Sequence, residues 1–480
     1  MNHFLKNKIW LLLPLALGIL ATGCKVPAVV TKTSNVVLPN TFGQGRTDST
    51  SMATLPVKTF FSDQNLLNLI DSALQNNQEL NITLQEIEIA RNEILMRKGA
   101  ILPNVRTGGG IGLEKVGRYT SQGAGDASTE IKPGKEVPEV LFDYAPGVFA
   151  NWEADIWKKL RNAKKAAVTR FLATSEGRNF VVTNLVAEIA TSYYELLSLD
   201  AQLQIVRQNI DLQKNALQTV KAQKEGAMAT ELGVKKFEAE VLASQGLEFE
   251  IQQQIKEAEN RINLLVGRFP QPVQRSQSDF LSIDPAQIRA GLPASLLTNR
   301  PDIRQAELEL EAAKIDIGVA RAEFLPTLEI SAALGLQAFN PAYLVKLPES
   351  LLFTLAGEMA GPIINRNAIQ AEFNSASARQ VQAMYNYERT ILTAYNEVST
   401  QLSNVSNLEK RFEIKSKQVE ALNSAISVSN ELFKSARADY LEVLMTQRDV
   451  LDAKLELLEI KREQLSAGIQ VYRDLGGGWK

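Results

Sequence analysis

Four segments of the chain alternate between apolar and small or polar residues with a period of two, which is typical of β-strands that have one apolar face. The clearest is Leu328–Leu336, where Leu328, Ile330, Ala332, Leu334 and Leu336 alternate with mainly small or polar residues. The alternation predicts strands over residues 103–115, 140–153, 327–338 and 350–361. Period two over about ten residues is also the pattern of outer-membrane strands.

Two long stretches contain no proline and are rich in Ala, Leu, Glu, Gln and Lys, which favour helices. They follow Pro146 and Pro362. They predict helices over residues 156–225, 230–267, 363–433 and 439–475. A helix over 156–225 would be about 105 Å long. Because such a length exceeds that of globular helices, coiled-coil-like packing is expected.

The two stretches are copies of one another. Leu102-Pro103 matches Leu325-Pro326 at an offset of 223, and Gly267 matches Gly476 at an offset of 209. The surplus of 14 residues in the first copy fits into residues 116–139. The sequence therefore predicts a duplicated strand-strand-helix-helix unit, with repeats at 63–270 and 285–480.

The first residues resemble an export signal. Two lysines precede the apolar run Ile9–Leu20, which is too short to span a bilayer comfortably. Small residues then lead to Cys24, as in a bacterial lipobox, although Ala21 stands where Leu is commonest. We expect residues 1–23 to be removed, Cys24 to be lipidated and residues 24–62 to form an extended tether. Lys25 follows the Cys where the usual inner-membrane retention signal has Asp, so we expect the protein to be located in the outer membrane.

Composition excludes several classes of function. The chain has 52 basic and 54 acidic residues, so it lacks the basic excess of nucleic-acid-binding proteins. Its one Cys excludes an internal disulfide, and its one His, His3, lies in the signal. We therefore predict no catalytic, cofactor-binding or metal-binding residues, and no enzyme activity.

The predicted strands require an assembly. Four strands cannot close a barrel, and an open edge in hydrocarbon leaves backbone groups without hydrogen bonds. The smallest membrane barrels have about eight strands, so a dimer or a trimer is needed, and strand number alone leaves both open. The long polar helices must then extend into an aqueous compartment, the periplasm.

The sequence resembles the TolC-like outer-membrane efflux proteins, specifically the lipoprotein branch that serves resistance–nodulation–division (RND) pumps. The resemblance covers about 400 residues. It is carried by the stretches Asn151–Trp157 (followed by Lys158 where Gly is usual), Ser295–Arg304, Ala320–Pro326, Tyr440–Leu444 and Leu475–Trp479.

This resemblance implies a mostly α-helical fold with a membrane β part: a homotrimer with a 12-stranded β-barrel continued by a 12-helix periplasmic α-barrel. It implies a passive exit duct for small amphiphilic compounds, with outer-membrane lipid, a periplasmic adaptor protein and an inner-membrane RND transporter as partners. The duct needs no cofactor and binds no nucleic acid.

The resemblance also places candidate residues at the ends of the two helix hairpins. The expected adaptor contacts are Gly226, Thr230, Glu231 and Leu232 at the first end, and Ala436, Tyr440 and Leu441 at the second. Gly226 suits a reversal that needs a positive φ, and Ala436 or Ser435 stands where the second end usually has Gly. Arg437 and Asp439, near Tyr440, are candidates for a periplasmic gate; a solvated tip surface is the alternative.

Other functions are compatible with parts of the pattern. The same duct could serve type I polypeptide secretion, and long helical hairpins also occur in lipid-anchored periplasmic adaptors. The duplicated strands argue against an adaptor, and the Leu475–Trp479 ending favours RND efflux. Trp152 and Trp157 fit either an interfacial aromatic belt or packing where strand meets helix.

Overall fold

The computed structural model of the protein describes residues 26–42, 50–276, 279–362, 364, 366–435, 437 and 439–479, with only the backbone of Lys434 and Tyr440. Cys24 and Ala436 lie outside the described residues. The chain divides into two compact units. The sheet unit contains Met1–Thr33, Ile89–Phe171 and Leu308–Met384, and the hairpin unit contains Ser34–Glu88, Leu172–Glu307 and Tyr385–Lys480.

Helices make up most of the described chain. The α-helices are α1 (Val57–Phe60), α2 (Gln64–Asn76), α3 (Gln78–Gly99), α4 (Ser121–Asp126), α5 (Lys159–Glu225), α6 (Glu231–Val266), α7 (Leu296–Asn299), α8 (Pro301–Ala322), α9 (Pro341–Leu344), α10 (Asn367–Lys434) and α11 (Tyr440–Asp474). Short 3₁₀ helices lie at Met52–Thr54, Phe280–Ser282 and Pro293–Ser295. The pairs α5–α6 and α10–α11 form the two helix hairpins.

The strands are β1 (Asn104–Glu114), β2 (Glu130–Lys132), β3 (Lys135–Glu136), β4 (Leu141–Ala154), β5 (Thr327–Leu336) and β6 (Leu351–Ala360). The sheet unit holds a four-stranded antiparallel sheet in the order β1-β4-β5-β6. Strands β2 and β3 pair separately as a small hairpin between β1 and β4 in the chain. Each repeat thus contributes two long strands to one sheet.

The core of the hairpin unit explains why its helices form where they do. Asp63 caps α2 by accepting from the backbone N–H of Asn65 at 2.7 Å, so the helix begins at a satisfied terminus. Leu66, Ile70 and Ala73 then recur on one face of α2 and are buried. Side chains of α5, α6 and α11 complete this core, among them the fully buried Tyr193 and Ile262.

The segment predicted as an extended tether, residues 24–62, differs in part from that expectation. It contains the Met52–Thr54 turn and α1, and Phe42, Met52 and Phe61 are buried. These apolar residues follow no regular period, so nothing in their spacing predicted a docked segment. Residues 26–42 contain no helix or strand, as expected of an extended segment, whereas residues 50–62 are folded, and the tether as a whole stays a prediction.

Other elements also differ from expectation. The helices α2, α3 and α8 precede the strands of their repeats and were not predicted, nor were α4, α9 and the β2–β3 hairpin. The bounds of the four long strands and four long helices lie within four residues of the predicted ones. The first long helix begins at Lys159 and not at 156, because the Asp155 carboxylate accepts from the backbone N–H groups of Leu160 and Arg161.

Candidate functional site: an apolar sheet face and two helix hairpins

One face of the four-stranded sheet is apolar from edge to edge. Because residues directly opposite one another share a face, the register aligns Val148 with Leu334 and Leu334 with Phe353. The neighbouring row ends at Leu355 on β6. Phe353 is 75% exposed and Leu355 is 78% exposed. A continuous exposed apolar surface of this kind marks contact with lipid or with another protein.

The opposite face of the sheet consists mainly of polar or small residues, with Phe149 and Leu352 among its apolar exceptions. Arg106 lies there on β1, and Asp143 lies there on β4. Near one end of the sheet Glu153 is opposite Glu329, which is opposite Glu358. Lys159 pairs with Glu153 at 2.7 Å and so neutralises one of these carboxylates. The two faces therefore suit different surroundings, one apolar and one aqueous.

The two outer strands of the sheet, β1 and β6, each pair with a single neighbour in the described chain. Their outer edges present backbone N–H and C=O groups that no strand among the described residues satisfies. Unpaired edges of this length are templates for pairing with another strand. In an apolar medium such pairing would be obligatory.

The end of β4 is joined to α5 by a strained turn. Lys158 adopts a left-handed φ of 61°, a conformation that favours glycine. Burial alone would raise the pKa of Asp155, but hydrogen bonds from Arg161 and from the backbone N–H groups of Leu160 and Arg161 hold that pKa below its usual value. Lys158 thus occupies a position whose geometry explains the glycine usual in similar sequences.

Trp152 and Trp157 both form hydrogen bonds to backbone carbonyl groups near the junction of β4 and α5. Trp152 Nε1 donates to the Ile101 carbonyl at 3.0 Å, and Trp157 Nε1 donates to the Pro326 carbonyl at 2.8 Å. Both side chains remain partly exposed. Of the two interpretations given above, the hydrogen bonds favour packing where strand meets helix.

The first hairpin end turns between Glu225 and Glu231. Gly226 donates to the Ala222 carbonyl at 3.1 Å, and the left-handed residue is Ala227, with φ 57°. The expectation that Gly226 supplies the positive φ is therefore wrong by one residue. Thr230 caps α6 by accepting from the Gly233 N–H at 3.2 Å, and Glu231 pairs with Lys224 across the turn.

The second hairpin end is described in part. Arg437 donates from its backbone to the Leu432 carbonyl at 2.8 Å, and Asp439 is the N-cap residue of α11, without a side-chain hydrogen bond to the helix. Arg437 and Asp439 are exposed, and Leu441 is half-buried. Tyr440 begins α11.

A small apolar cluster lies behind both hairpin ends. Val220, Val234 and Phe237 of the first hairpin are buried, and Phe433 and Leu444 of the second pack against them. This cluster brings the two ends side by side. Met228 and Leu232 at the first end are 77% and 60% exposed, so the tip surface includes apolar side chains.

At the root of the first hairpin, where α6 ends, the side chain that reaches the Leu265 carbonyl is uncharged, and Arg268, just beyond, donates to Asn263 Oδ1 at 2.6 Å. Gly267 has a left-handed φ of 77°, and a Cβ there would lie 2.4 Å from the Asn76 carbonyl oxygen. The buried Asn77 donates from Nδ2 to the Leu265 carbonyl at 2.8 Å. Its Oδ1 accepts from the Leu80 N–H at 2.9 Å and caps α3.

The root of the second hairpin, where α11 ends, has the same backbone geometry. Gly476 has φ 89°, and a Cβ there would lie 2.4 Å from the Asn299 carbonyl oxygen. Arg300 Nη1 donates to the Asp474 carbonyl at 2.8 Å. The offsets of the duplication relate Asn76 to Asn299 and Gly267 to Gly476. Two stretches that carry the family resemblance, 295–304 and 475–479, therefore meet at this root.

Side chains at the second root are charged and buried. Arg300 also donates to Asp302 at 2.7 Å and to Glu397 at 2.8 Å, and it is 5% exposed. Burial lowers the pKa of Arg300, but these two carboxylates raise it above its usual value overall. Burial raises the pKa of Asp474, which the ion pair with Arg473 offsets only in part.

Sequence reasoning did not single out Arg300, Asp474, Asn77 or Gly267 as structural sites. The duplication contained a signal for the glycine only, because Gly267 matches Gly476, whereas Asn77 and Leu265 stand at the positions equivalent to Arg300 and Asp474. Two glycines at matching helix ends predict two matching left-handed caps.

None of the helices in the described part of the chain combines the length and apolar character needed to cross a lipid bilayer. Within the same residues, no group of His, Cys, Asp and Glu side chains is arranged to hold a metal ion.

Known proteins resemble this chain over most of its length. A relative from Pseudomonas aeruginosa, the pyoverdine export outer membrane protein OpmQ, is 28% identical over 421 residues, covering 88% of this chain and 86% of OpmQ. The cation efflux system protein CusC of Escherichia coli is 26% identical over 423 residues, covering 88% of each chain.

Solved structures have the same fold. The crystal structure of the open state of the Neisseria gonorrhoeae MtrE outer membrane channel matches with a TM-score of 0.82 at 22% identity, covering 95% of this chain and 98% of MtrE. A CusC crystal structure matches with the same score at 24% identity, covering 95% of this chain and all of that one.

The family model described as outer membrane efflux protein matches residues 69–268 and 292–477, which are the two repeats with their helix hairpins. The resemblance inferred from the sequence is thereby confirmed. This chain belongs to the outer membrane efflux protein family.

Proposed function

We propose that three copies of this chain form one passive duct, with a 12-stranded membrane barrel continued by a 12-helix periplasmic barrel. As a member of its family the chain is an outer-membrane efflux channel protein and not an enzyme. The observation that carries the proposal is the exposed apolar face of a four-stranded sheet with two unpaired edges. Three copies would pair β6 of each chain with β1 of the next and leave no edge.

The polar face of the sheet would line the lumen. It carries Arg106, Asp143 and the row Glu153, Glu329 and Glu358, which would remain hydrated inside a water-filled barrel. The apolar face would meet lipid. This assignment of faces follows from the alternation of side chains along each strand.

The cargo we propose is small amphiphilic compounds. Relatives of this chain are named for the efflux of toluene and of cations, which are small solutes. Type I polypeptide secretion is the alternative. When this chain is expressed in cells that lack their own outer-membrane duct, it should restore the export of a small lipophilic dye. Recovery of polypeptide secretion without dye export would favour the alternative.

The hairpin ends are our proposed contacts for a periplasmic adaptor, which would connect the duct to an inner-membrane RND transporter. The candidates are Gly226, Thr230, Glu231 and Leu232, together with Ala436, Tyr440 and Leu441. The proposal is supported by the exposed Leu232 and by the cluster that holds the two ends side by side. Arg437 and Asp439, both exposed, are the proposed gate residues.

Lipidation of Cys24 is also proposed. Val26, two residues later, packs against a cluster of the sheet unit that includes Phe324 and Phe373. Phe324 lies three residues before β5, so Val26 is held near one end of the sheet. The described chain that follows Cys24 is therefore held beside the proposed membrane strands, which supports a lipid anchor there.

The test of the anchor is Cys24→Ala. Because the barrel itself would hold the protein in the membrane, we expect a trimer that still inserts but is targeted less efficiently. Intact mass of the wild-type protein should show the attached lipid. Complete loss of folding in the variant would contradict an auxiliary role for the lipid.

The test of the membrane sheet uses two neighbouring residues of β6 on opposite faces. Leu355→Arg would place a charge in lipid near the middle of the strand and should cost about 2–4 kcal/mol of barrel stability. Ala356→Arg would place the same charge in the lumen and should cost less than about 1 kcal/mol. The fraction of folded protein in outer-membrane extracts measures both, and equal tolerance would contradict the assignment of faces.

A further inference from the structure

The root of the second hairpin borders a partly open cavity of about 140 Å³. Phe180, Thr183 and Asn184 of α5 line one side, and Arg300, Glu397 and Asp474 are among the residues on the other sides. Thr183 and Asp474 are each 2% exposed. A cavity of this size can hold several water molecules.

Two buried polar atoms of these lining residues lack a hydrogen-bond partner among the described residues. Asp474 Oδ1 accepts both hydrogen bonds from Arg473, at 2.9 and 2.7 Å. Asp474 Oδ2 and Thr183 Oγ1 have no partner. A buried carboxylate oxygen without a donor in the protein is costly to keep ionised.

The charged groups around Asp474 do not supply this donor. Arg300 directs its hydrogen bonds to Asp302, to Glu397 and to the backbone carbonyl of Asp474. Arg473 donates to Oδ1 only. Thr183 and Asn184 of α5 carry no charge. Three carboxylates therefore face two guanidinium groups, which leaves one negative charge in excess when Asp474 is ionised.

We propose that the Asp474 carboxyl binds a proton in this cavity, so that acid strengthens the root of the second hairpin and leaves the root of the first unchanged. Protonation removes the excess charge and lets Oδ2 donate to a water molecule in the cavity. The first root has Leu265 at the position equivalent to Asp474, and Asn77 in place of Arg300, so it has nothing to titrate there.

The direction of the effect follows from linkage. Burial raises the pKa of Asp474 above the ordinary value of 3.8. A group with a raised pKa in the folded state contributes stability that is complete below the unfolded pKa and is lost as pH rises through the folded pKa. The root should therefore be firmest in acid and loosen toward neutral pH. This inference goes beyond the duct function, because it makes one of the two hairpins respond to pH.

The experiment is hydrogen exchange with mass spectrometry on the full-length protein in mild detergent, between pH 4.5 and 8, corrected for intrinsic exchange. The readout is the protection of peptides that cover the C-terminal end of α11. In the wild type, protection should fall as pH rises, by about tenfold for each pH unit between the unfolded and folded pKa values.

The variant Asp474→Asn keeps an acceptor for Arg473 and supplies an N–H donor at the other position. In this variant, the peptides at the C-terminal end of α11 should stay protected from exchange at all pH values and should not show the decline seen in the wild type. Leu265→Asn at the first root is the matched control, and peptides at the end of α6 should show no such pH dependence in it or in the wild type.

Three results would overturn the proposal. The wild type and Asp474→Asn could follow the same pH course, the end of α6 could show the same acid strengthening, or protection at fixed pH could depend on ammonium or sodium concentration at constant ionic strength. The last result would mean that a cation occupies the cavity. Should Asp474→Asn not fold, Glu397→Gln serves instead: the Glu397 carboxylate helps to raise the pKa of Asp474, so its removal should reduce the acid strengthening several-fold, and an unchanged pH course would count against the proposal.

Discussion

At the root of the first hairpin Asn77 donates to the Leu265 carbonyl at 2.8 Å, and at the root of the second Arg300 donates to the Asp474 carbonyl at 2.8 Å. The two bonds reach equivalent backbone atoms in the two copies. Gly267 and Gly476 both take left-handed conformations beside them. Duplication has therefore preserved the path of the backbone at both roots.

The side chains that hold this path have diverged. A neutral amide with two hydrogen bonds serves the first root, whereas the second root uses a buried guanidinium that touches two carboxylates and a carbonyl. A buried ionic network contributes little net stability but is costly to break at one partner. The comparison teaches that equal geometry at the two roots need not mean equal sensitivity to mutation or to pH.

The largest expected effect comes from removing the cation. Arg300→Met would leave Asp302 and Glu397 without their shared partner and should lower the free energy of unfolding by about 3–5 kcal/mol. Asn77→Ala at the equivalent position should cost about 1–3 kcal/mol. Thermal unfolding in detergent, followed by the helical circular dichroism signal, measures both. Equal losses would remove the distinction between a charged and a neutral root.

A smaller and symmetric effect is expected from the two glycines. Gly267→Ala and Gly476→Ala each place a Cβ 2.4 Å from a carbonyl oxygen in a left-handed residue. We expect each to cost about 3 kcal/mol, from conformational strain and overpacking together. The same unfolding experiment applies. Losses that differ by more than about 1 kcal/mol would show that the two backbones are less alike than described.

The smallest effect concerns the start of each hairpin. Lys158 precedes α5 with φ 61°, whereas the equivalent Asn367 begins α10 and has no positive φ. Lys158→Gly should stabilise the protein by about 0.5–1 kcal/mol, because glycine tolerates this conformation. Asn367→Gly is the control and should be neutral or slightly destabilising. Stabilisation by the second change, and none by the first, would contradict the strain assigned to Lys158.

Several features could be predicted from the sequence because they depend on short-range pattern. The family, the outer-membrane location and the efflux function followed from motifs such as Asn151–Trp157 and Leu475–Trp479, and the comparisons confirm them. Strand β5 could be predicted from the alternation between Leu328 and Leu336, because side chains of a strand alternate with a period of two. The pairing of β5 with β6 shows this alternation.

Features that depend on tertiary contact were missed. Phe42 and Met52 are buried by partners far away in the chain, so their segment looked like a plain tether. The role of Arg300 required knowing that the end of α11 returns to it, 174 residues later. At the first hairpin end, Ala227 and not Gly226 takes the positive φ. The way in which α5 ends decides this, whereas residue preference pointed to Gly226.

The most direct test of the duct is native mass spectrometry of the mature protein extracted from outer membranes in mild detergent. We predict a trimer that carries a lipid modification, because four strands per chain need partner copies to close and three copies give twelve strands. A monomer or dimer that remains soluble without detergent would contradict the account, since the exposed apolar face of the sheet would then not be a membrane surface.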